Sequence, residues 1–320
     1  GVKPPRTFTI SLHPHNKTLQ AMKALLALLI RTGQIVRIDL ADGSVRNLTD
    51  DAGSAPDGIV VEGGTVYWTT MGKAIVDPNV PGEKGRDYSQ KNGGVHGLKL
   101  DGSGKFDVVP VGGVTTGKQL ASDGAGTLYW GDREGCKVSR VRVDGSGLED
   151  VVVNRRGDET EECVGVAVDR KRGYVYWSQK GPSNGCQGRI LRTKIDLPAG
   201  ETAKTRSDIE VLWADLPEPI DLHVEGDRLY WTDRGDPPEG NTLNRAPIPG
   251  SGEPGAKPEI LASGFNEAIG LCVNEEIGLA WVSALDGNIR EVPLPDGPAA
   301  GRGERILASF GAPVTGLAAL

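Results

Sequence analysis

Leu229-Tyr230-Trp231-Thr232-Asp233 decides the fold, because it recurs along the chain. Clear copies stand at Val66-Tyr67-Trp68-Thr69-Thr70, Leu128-Tyr129-Trp130-Gly131-Asp132 and Val175-Tyr176-Trp177-Ser178-Gln179. A worn copy is Leu279-Ala280-Trp281-Val282-Ser283. With the Tyr position as phase mark, the copies lie 62, 47, 54 and 50 residues apart. A period of about 40–50 residues is that of a four-stranded propeller blade, and longer gaps are blades with inserted loops.

Each copy has the same neighbours. Before it lies a short apolar strand, as at Pro56-Asp57-Gly58-Ile59-Val60-Val61, Lys118-Gln119-Leu120-Ala121-Ser122 and Val164-Gly165-Val166-Ala167-Val168. Pro219-Ile220-Asp221-Leu222 and Ile269-Gly270-Leu271-Cys272-Val273 continue the series. After the aromatic copy come a loop, a third strand such as Val138 to Val143, and an outer strand such as Val151-Val152-Val153. Asp42-Gly43, Asp101-Gly102 and Asp144-Gly145 separate third from fourth strands and are strong hairpin signals.

The sixth unit is split. Ala312 to Ala318 repeats the first-strand pattern and then the chain stops, while Phe8-Thr9-Ile10-Ser11 offers a second strand with no first strand before it. Residues 34–40 and 45–48 supply its third and fourth strands. The expectation is an all-β, six-bladed β-propeller filling 1–320 as one domain, its sixth blade closed by both termini so that no sheet edge stays open. One insertion is expected at about 16–31. Met22, Leu25, Leu26, Leu29 and Ile30 recur at helical spacing, which predicts an amphipathic helix near 18–30 capped by Asn16 or Thr18. That apolar run is too short to span a bilayer, which needs about 20 residues.

Composition narrows the function. The chain has 320 residues, 38% hydrophobic and 25% charged, as in a soluble protein. A net charge of −7 with no basic block excludes a nucleic-acid-binding surface. Cys136, Cys163, Cys186 and Cys272 lack metal-ligand spacing, and neither metal nor cofactor is expected. The first three fall on one face, leaving one disulfide among them open, and Cys272 is expected buried and free. Sequons at Asn16 and Asn47 leave both a cytoplasmic and a secreted location open. None of the four histidines sits in a nucleophile elbow, and His223 alternates inside a strand as a packed residue would.

Topology sorts the loops. In a four-stranded meander, loops entering strand one and leaving strand two share a face. The long segments 72–93, 180–188 and 234–241 all belong to these classes, whereas the other face carries Asp-Gly turns and polar loops at 198–206 and 249–257. One face is therefore elaborated around the central channel, where propellers bind ligands. Asp57, Met71, Lys118, Gln119, Asp132, Arg133, Glu134, Glu162, Lys180, Glu218, Asp221, Arg234 and Glu267 fall at this mouth. Asp132 and Asp233 end aromatic strands, where an Asp is expected to hydrogen-bond a neighbouring blade's backbone. Lys118 enters an innermost strand pointing to the partly desolvated channel, and with Gln119 forms the leading functional pair.

The Tyr-Trp-Thr-Asp repeats resemble the propeller modules of low-density-lipoprotein-receptor-type proteins. Pro56-Asp57-Gly58-Ile59-Val60, Gly117-Lys118-Gln119-Leu120, Asp132-Arg133-Glu134-Gly135, Gln179-Lys180-Gly181-Pro182, Leu216 to Asp221 and Trp231 to Pro238 carry a closer resemblance. They are similar to stand-alone fungal and bacterial propellers of this length. Members are often labelled dehydrogenases, but no Gly-x-Gly-x-x-Gly follows a strand here. Such propellers also act as hetero-Diels–Alderases of fungal tropolonic sesquiterpenoid pathways. That resemblance implies a pericyclase without redox cofactor, joining a tropolone quinone methide to a humulene-type alkene. Lys118, Gln119 and Arg133 would donate to a tropolone oxygen, and Glu134, Glu162 or Glu218 would move a proton. Asp57, Met71, Lys180, Arg234 and Glu267 would line the substrate site, with Met22 and Leu26 of the helix as its roof. Two competing classes are a metal-dependent lactonase, which needs a channel-centred set of oxygen ligands, and a non-catalytic ligand- or protein-binding propeller.

Overall fold

A computed structural model of the chain describes residues 22–320. It opens on β1 (Ala24–Leu29), β2 (Gln34–Asp39) and β3 (Val45–Thr49), the outer strands of a blade completed from the far end of the chain. Blade one is β4 (Pro56–Glu62), β5 (Thr65–Thr70), β8 (Gly93–Lys99) and β9 (Phe106–Val114), interrupted by a hairpin of β6 (Ile75–Val76) and β7 (Arg86–Asp87). Blade two is β10 (Gly117–Ser122), β11 (Thr127–Asp132), β12 (Lys137–Arg142) and β13 (Glu149–Val153). Blade three is β14 (Cys163–Asp169), β15 (Tyr174–Gln179), β16 (Gly188–Lys194) and β17 (Glu210–Leu216). Blade four is β18 (Pro219–Glu225), β19 (Arg228–Asp233), β20 (Thr242–Pro247) and β21 (Glu259–Ala262). Blade five is β22 (Ala268–Asn274), β23 (Leu279–Ala284), β24 (Asn288–Pro293) and β25 (Arg305–Ser309), and β26 (Val314–Ala319) is the innermost strand of blade six. All six sheets are antiparallel meanders, and the innermost strands β4, β10, β14, β18, β22 and β26 touch in a closed ring.

The turns follow their sequence signals. Asp42, Asp101 and Asp144 each accept the N–H of the Ser two residues on, at 2.8–2.9 Å, while the intervening Gly takes a positive φ that an L side chain resists. Inner-strand glycines have a different cause. A Cβ at Gly58, Gly165, Gly270 or Gly316 would stand 1.9–2.5 Å from backbone atoms of the next blade's inner strand. In blades two and four the same position holds Gln119 and Asp221.

One device repeats around the ring. The hydroxyl that follows the aromatic pair accepts its own inner strand's N–H and donates to the next inner strand's carbonyl. Thr69 links Gly58 N (2.9 Å) to Lys118 O (2.6 Å), and Ser178 links Gly165 N (2.7 Å) to Ile220 O (2.6 Å). Thr232 and Ser283 repeat it toward Ile269 and Thr315. Gly131 stands at this position in blade two, against Val164 O. Ser283 also corrects the phase of the fifth copy. Leu271 pairs with Val282 as Ile59 pairs with Trp68, so Trp281 occupies the Tyr position and Val282 the Trp position.

The helix expected near 18–30 is a second correction. Over Ala24–Leu29 the chain is a strand, paired with β26 on one side and β2 on the other, and it is the second strand of blade six. Its side chains are buried on both faces: Leu25, Ala27 and Leu29 pack with Trp281, whereas Leu26 and Leu28 pack with Trp68. A strand sandwiched between two blades is apolar at every position, and any such run satisfies helical spacing. Ala27 sits at the Trp position, so this blade has lost its signature. The strand expected at Phe8-Thr9-Ile10-Ser11, the sequon at Asn16 and residues 18–21 of the expected helix lie outside the described residues. Asn47 is exposed on β3. All four cysteines are free, so the disulfide left open among Cys136, Cys163 and Cys186 does not form.

Candidate active site

The ring presents strand-one entries and strand-two exits to one face, and most of the expected mouth residues meet there, whereas Gln119 and Asp221 also line a cavity further along the inner strands. Asp57, on β4, lies in the channel wall, where Lys118 Nζ donates to Oδ1 at 2.9 Å and Gln119 Nε2 to Oδ2 at 3.0 Å. Lys118 also touches Met71 Sδ at 3.4 Å. The expected pair is thus brought together, but on a buried acid of the neighbouring blade. Beside it, Val164, Ile220 and Ile269 form an apolar patch with Leu285. At this level the channel is polar on one side and greasy on the other.

Above the channel lies a cleft of about 900 Å³. Arg133 and Arg234 occupy equivalent positions, each following the Asp of an aromatic strand. Arg133 donates through Nε and Nη2 to Glu134 Oε1 at 2.9 and 2.7 Å, and Arg234 Nε donates to Glu218 Oε2 at 3.0 Å. Lys180 Nζ sits 3.9 Å from the same Glu218 oxygen and donates to Gly181 O at 3.1 Å. Glu218 Oε1 accepts Asn184 N at 2.8 Å. Glu267 lines the far wall, its backbone N–H held by Asn241 Oδ1 at 2.8 Å.

The two arginines share a third carboxylate that sequence reasoning missed. Glu83 Oε1 accepts Arg133 Nη1 at 3.0 Å and Oε2 accepts Arg234 Nη1 at 2.8 Å. It rides on a 3-10 turn, Glu83–Gly85, at the tip of the β6–β7 hairpin. The only signal was the long 72–93 segment on the elaborated face; nothing marked Glu83 among its other charged residues.

Electrostatics separates the acids. Burial works against ionising Glu83, but the Arg234 and Arg133 guanidiniums hold its carboxyl well below the ordinary range. Glu134 is lowered likewise: burial opposes ionisation and Arg133 overcomes it. Glu162 goes the other way. Burial pushes it up to about 7, with Arg133 opposing and Glu134 adding repulsion. Its side chain forms no hydrogen bond among the described residues, and it lines the cleft with Arg133 and Lys180. Lys180 is lowered from its ordinary value by burial and then by Arg234.

The remaining expected residues have structural partners. Asp132 accepts the N–H groups of Thr115, Thr116 and Gly135, and Asp233 those of Glu218 and Gly235. These are their own blades' loops rather than a neighbouring blade's backbone. Asp221 crosses to blade five, its Oδ2 accepting Leu271 N at 2.9 Å, and burial pushes it up to about 8. Met22 packs on the Trp281 cluster and Leu26 is fully buried beside Trp68, so neither roofs the cleft. Further along the inner strands, a second cavity of about 310 Å³ is lined by Asp221, Cys272 and His223, the last bonded to Glu225 at 3.0 Å. Among the described residues no three His, Cys, Asp or Glu side chains converge to hold a metal ion. Among them too, no helix is long and apolar enough to cross a membrane.

Fold and mouth together define a six-bladed propeller of the Tyr-Trp-Thr-Asp class with a charged, elaborated face. No family model matches the chain. It is 38% identical over 288 residues to the low-density lipoprotein receptor-related protein 1 of Pyricularia oryzae, covering 83% of this chain and 87% of that one. The chain belongs to that protein's family. It is also 38% identical over 279 residues to the 3-hydroxyacyl-CoA dehydrogenase-like protein LAM1 of Cochliobolus heterostrophus, covering 81% of this chain and 56% of that protein. Among solved structures, a chain of the nidogen/laminin complex matches at TM-score 0.66 and 15% identity, covering 93% of this chain and 98% of that one. A 6-phosphogluconolactonase-type structure from Bacteroides uniformis matches at TM-score 0.57 and 12% identity, covering 91% and 84%. At such identities the last two show the fold alone.

Proposed function

We propose that the chain is a small-molecule enzyme acting at the mouth cleft, and that its reaction is the hetero-Diels–Alder union of a tropolone quinone methide with a humulene-type alkene. One observation carries this reading. Glu162, with a pKa near 7, faces a cleft of about 900 Å³ together with the cations Arg133, Arg234 and Lys180. A carboxyl poised near neutrality moves protons efficiently, and preorganised cations stabilise an oxyanion. The resemblance of the repeat and loop motifs to the fungal propellers supports the finer assignment.

The chemistry balances without an oxidant. Protonated Glu162 donates to the hydroxyl of a hydroxymethyl tropolone, and the C–O bond breaks as water leaves. The ring hydroxyl gives up its proton, regenerating the acid overall, and the quinone methide results. Its carbonyl oxygen is polarised by the arginines and Lys180 while the alkene adds, forming one C–C and one C–O bond. Glu134 and Glu218 are tied to Arg133 and Arg234, which leaves proton transfer to Glu162. The apolar patch of Val164, Ile220, Ile269 and Leu285 suits the hydrocarbon partner.

The test is turnover of a hydroxymethyl tropolone with a humulene-type alkene, followed by mass spectrometry of the fused adduct. Adduct above the uncatalysed background is expected, with a rate that falls as pH rises through about 7, because the acid must be protonated. Glu162→Gln should lose the dehydration but retain cyclisation of a preformed quinone methide. No adduct, with chelator-sensitive hydrolysis of lactones instead, would overturn the reading; binding without turnover of either would point to a non-catalytic propeller.

A further inference from the structure

We propose that Arg133 and Arg234 form an anion-binding site for the substrate, that Glu83 occupies it as an internal ligand, and that a substrate carboxylate or vicinal oxyanion replaces it. The inference rests on the reading that the cleft binds a small molecule. Its basis is how the partners are shared. Each guanidinium has a carboxylate of its own, Glu134 for Arg133 and Glu218 for Arg234, supplied from its own blade. Glu83 alone bridges both, one oxygen to each, in the way a bound carboxylate bridges two arginines. Withdrawing Glu83 leaves both arginines held in place and their Nη1 donors unpaired.

Glu83 is also placed to be displaced. It stands on the narrow β6–β7 hairpin, whose Ile75 and Val76 are exposed rather than packed into the ring. About a third of its side chain, 36%, is open to the cleft. Gly85 makes the tip compact: a Cβ there would stand 1.9 Å from Val80 O. Glu83 lines both the cleft and a small cavity of about 60 Å³ beneath it, which reaches Lys118, Ile269 and Leu285. Moving Glu83 aside joins the cationic cleft to the apolar side of the channel. A ligand with a planar anion at one end and a hydrocarbon surface at the other matches that joined space.

An internal competitor lowers apparent affinity by the fraction of molecules in which the site is open. The experiment is calorimetric binding of benzoate and of tropolonate, with neutral tropone as control, to the wild-type chain and to Glu83→Ala. Both anions should bind about tenfold or more tighter to the variant, with tropone unchanged. Arg234→Ala on the Glu83→Ala background should return the affinity to the wild-type level or below. Glu83→Gln, which keeps the size and removes the charge, should fall between and serves if the alanine variant folds poorly. Unchanged or weaker anion binding by a folded Glu83 variant would overturn the proposal, as would a tropolonate complex with Glu83 still bridging the arginines. These measurements need no turnover. Tighter binding with no adduct sinks only the reaction proposed above, and adduct formation with no gain in binding sinks only this inference.

Discussion

Asp233 and Glu162 are both pushed to a pKa of about 7 by burial, yet they belong to different parts of the machine. Asp233 is 1% exposed and turns its oxygens onto the N–H groups of Glu218 and Gly235, closing the loop that enters its blade. Glu162 lies half-buried at the cleft with no hydrogen-bond partner among the described residues. The same titration behaviour thus marks a structural clamp in one place and, in the function proposed above, a proton carrier in the other. What separates them is access: a shifted pKa nominates a functional acid only where a reactant can reach it.

Four substitutions break or sharpen that contrast. The largest effect is expected for Asp233→Ala, which strands two buried N–H groups and loosens the Glu218 backbone; chemical denaturation should show a loss of about 3 kcal/mol. Glu162→Gln should do the reverse, leaving the denaturation midpoint unchanged while the dehydration rate drops about 100-fold. If both substitutions cost stability and neither affects rate, the division between clamp and carrier fails.

A smaller loss, about 1–2 kcal/mol, is expected for Thr69→Val, which removes one of the hydroxyl links between inner strands while keeping the shape. Gly131 shows that the ring tolerates one blade without the hydroxyl, which is why the loss should stay modest. The fourth effect is read as a pH dependence and concerns Asp221. Its carboxyl is raised from 3.8 in the unfolded chain to about 8, so the folded state holds the proton more tightly. The stability it contributes is fully present below about pH 4 and is lost as pH rises through about 8. Asp221→Gly, matching the glycines of four other blades, should flatten that decline in a melting-temperature profile from pH 4 to pH 9.

Legibility in the sequence follows the same division. Four blades announced themselves because each buries a Tyr-Trp pair between blades, three of them with a bridging hydroxyl after it, and local sequence carries that packing. Blade five announced itself one residue out of phase, since Trp281 fills the Tyr position, and the true register shows in the Leu271–Val282 pairing and in the bonds of Ser283 to Gly270 and Thr315. Blade six gave no aromatic signal in its second strand. Leu and Ala pack equally well between the Trp281 and Trp68 clusters, and a run buried on both faces has no alternation to distinguish strand from helix.

For the candidate site, loop order sufficed to bring Lys118, Arg133, Glu134, Glu162, Lys180, Glu218 and Arg234 to one mouth. It did so because a meander assigns each loop class to a fixed face. Which acid would stay near neutrality was beyond it, since that depends on whether an arginine stands at hydrogen-bond distance. Glu83 was equally hidden, brought to Arg133 and Arg234 by a hairpin crossing over the channel. By itself the sequence determined the ring and the face, through repeats whose packing is local to each blade. Only the tertiary structure decided the pairing of charges across blades, because ion pairs between residues as far apart as Glu83 and Arg234 exist only once the ring has closed.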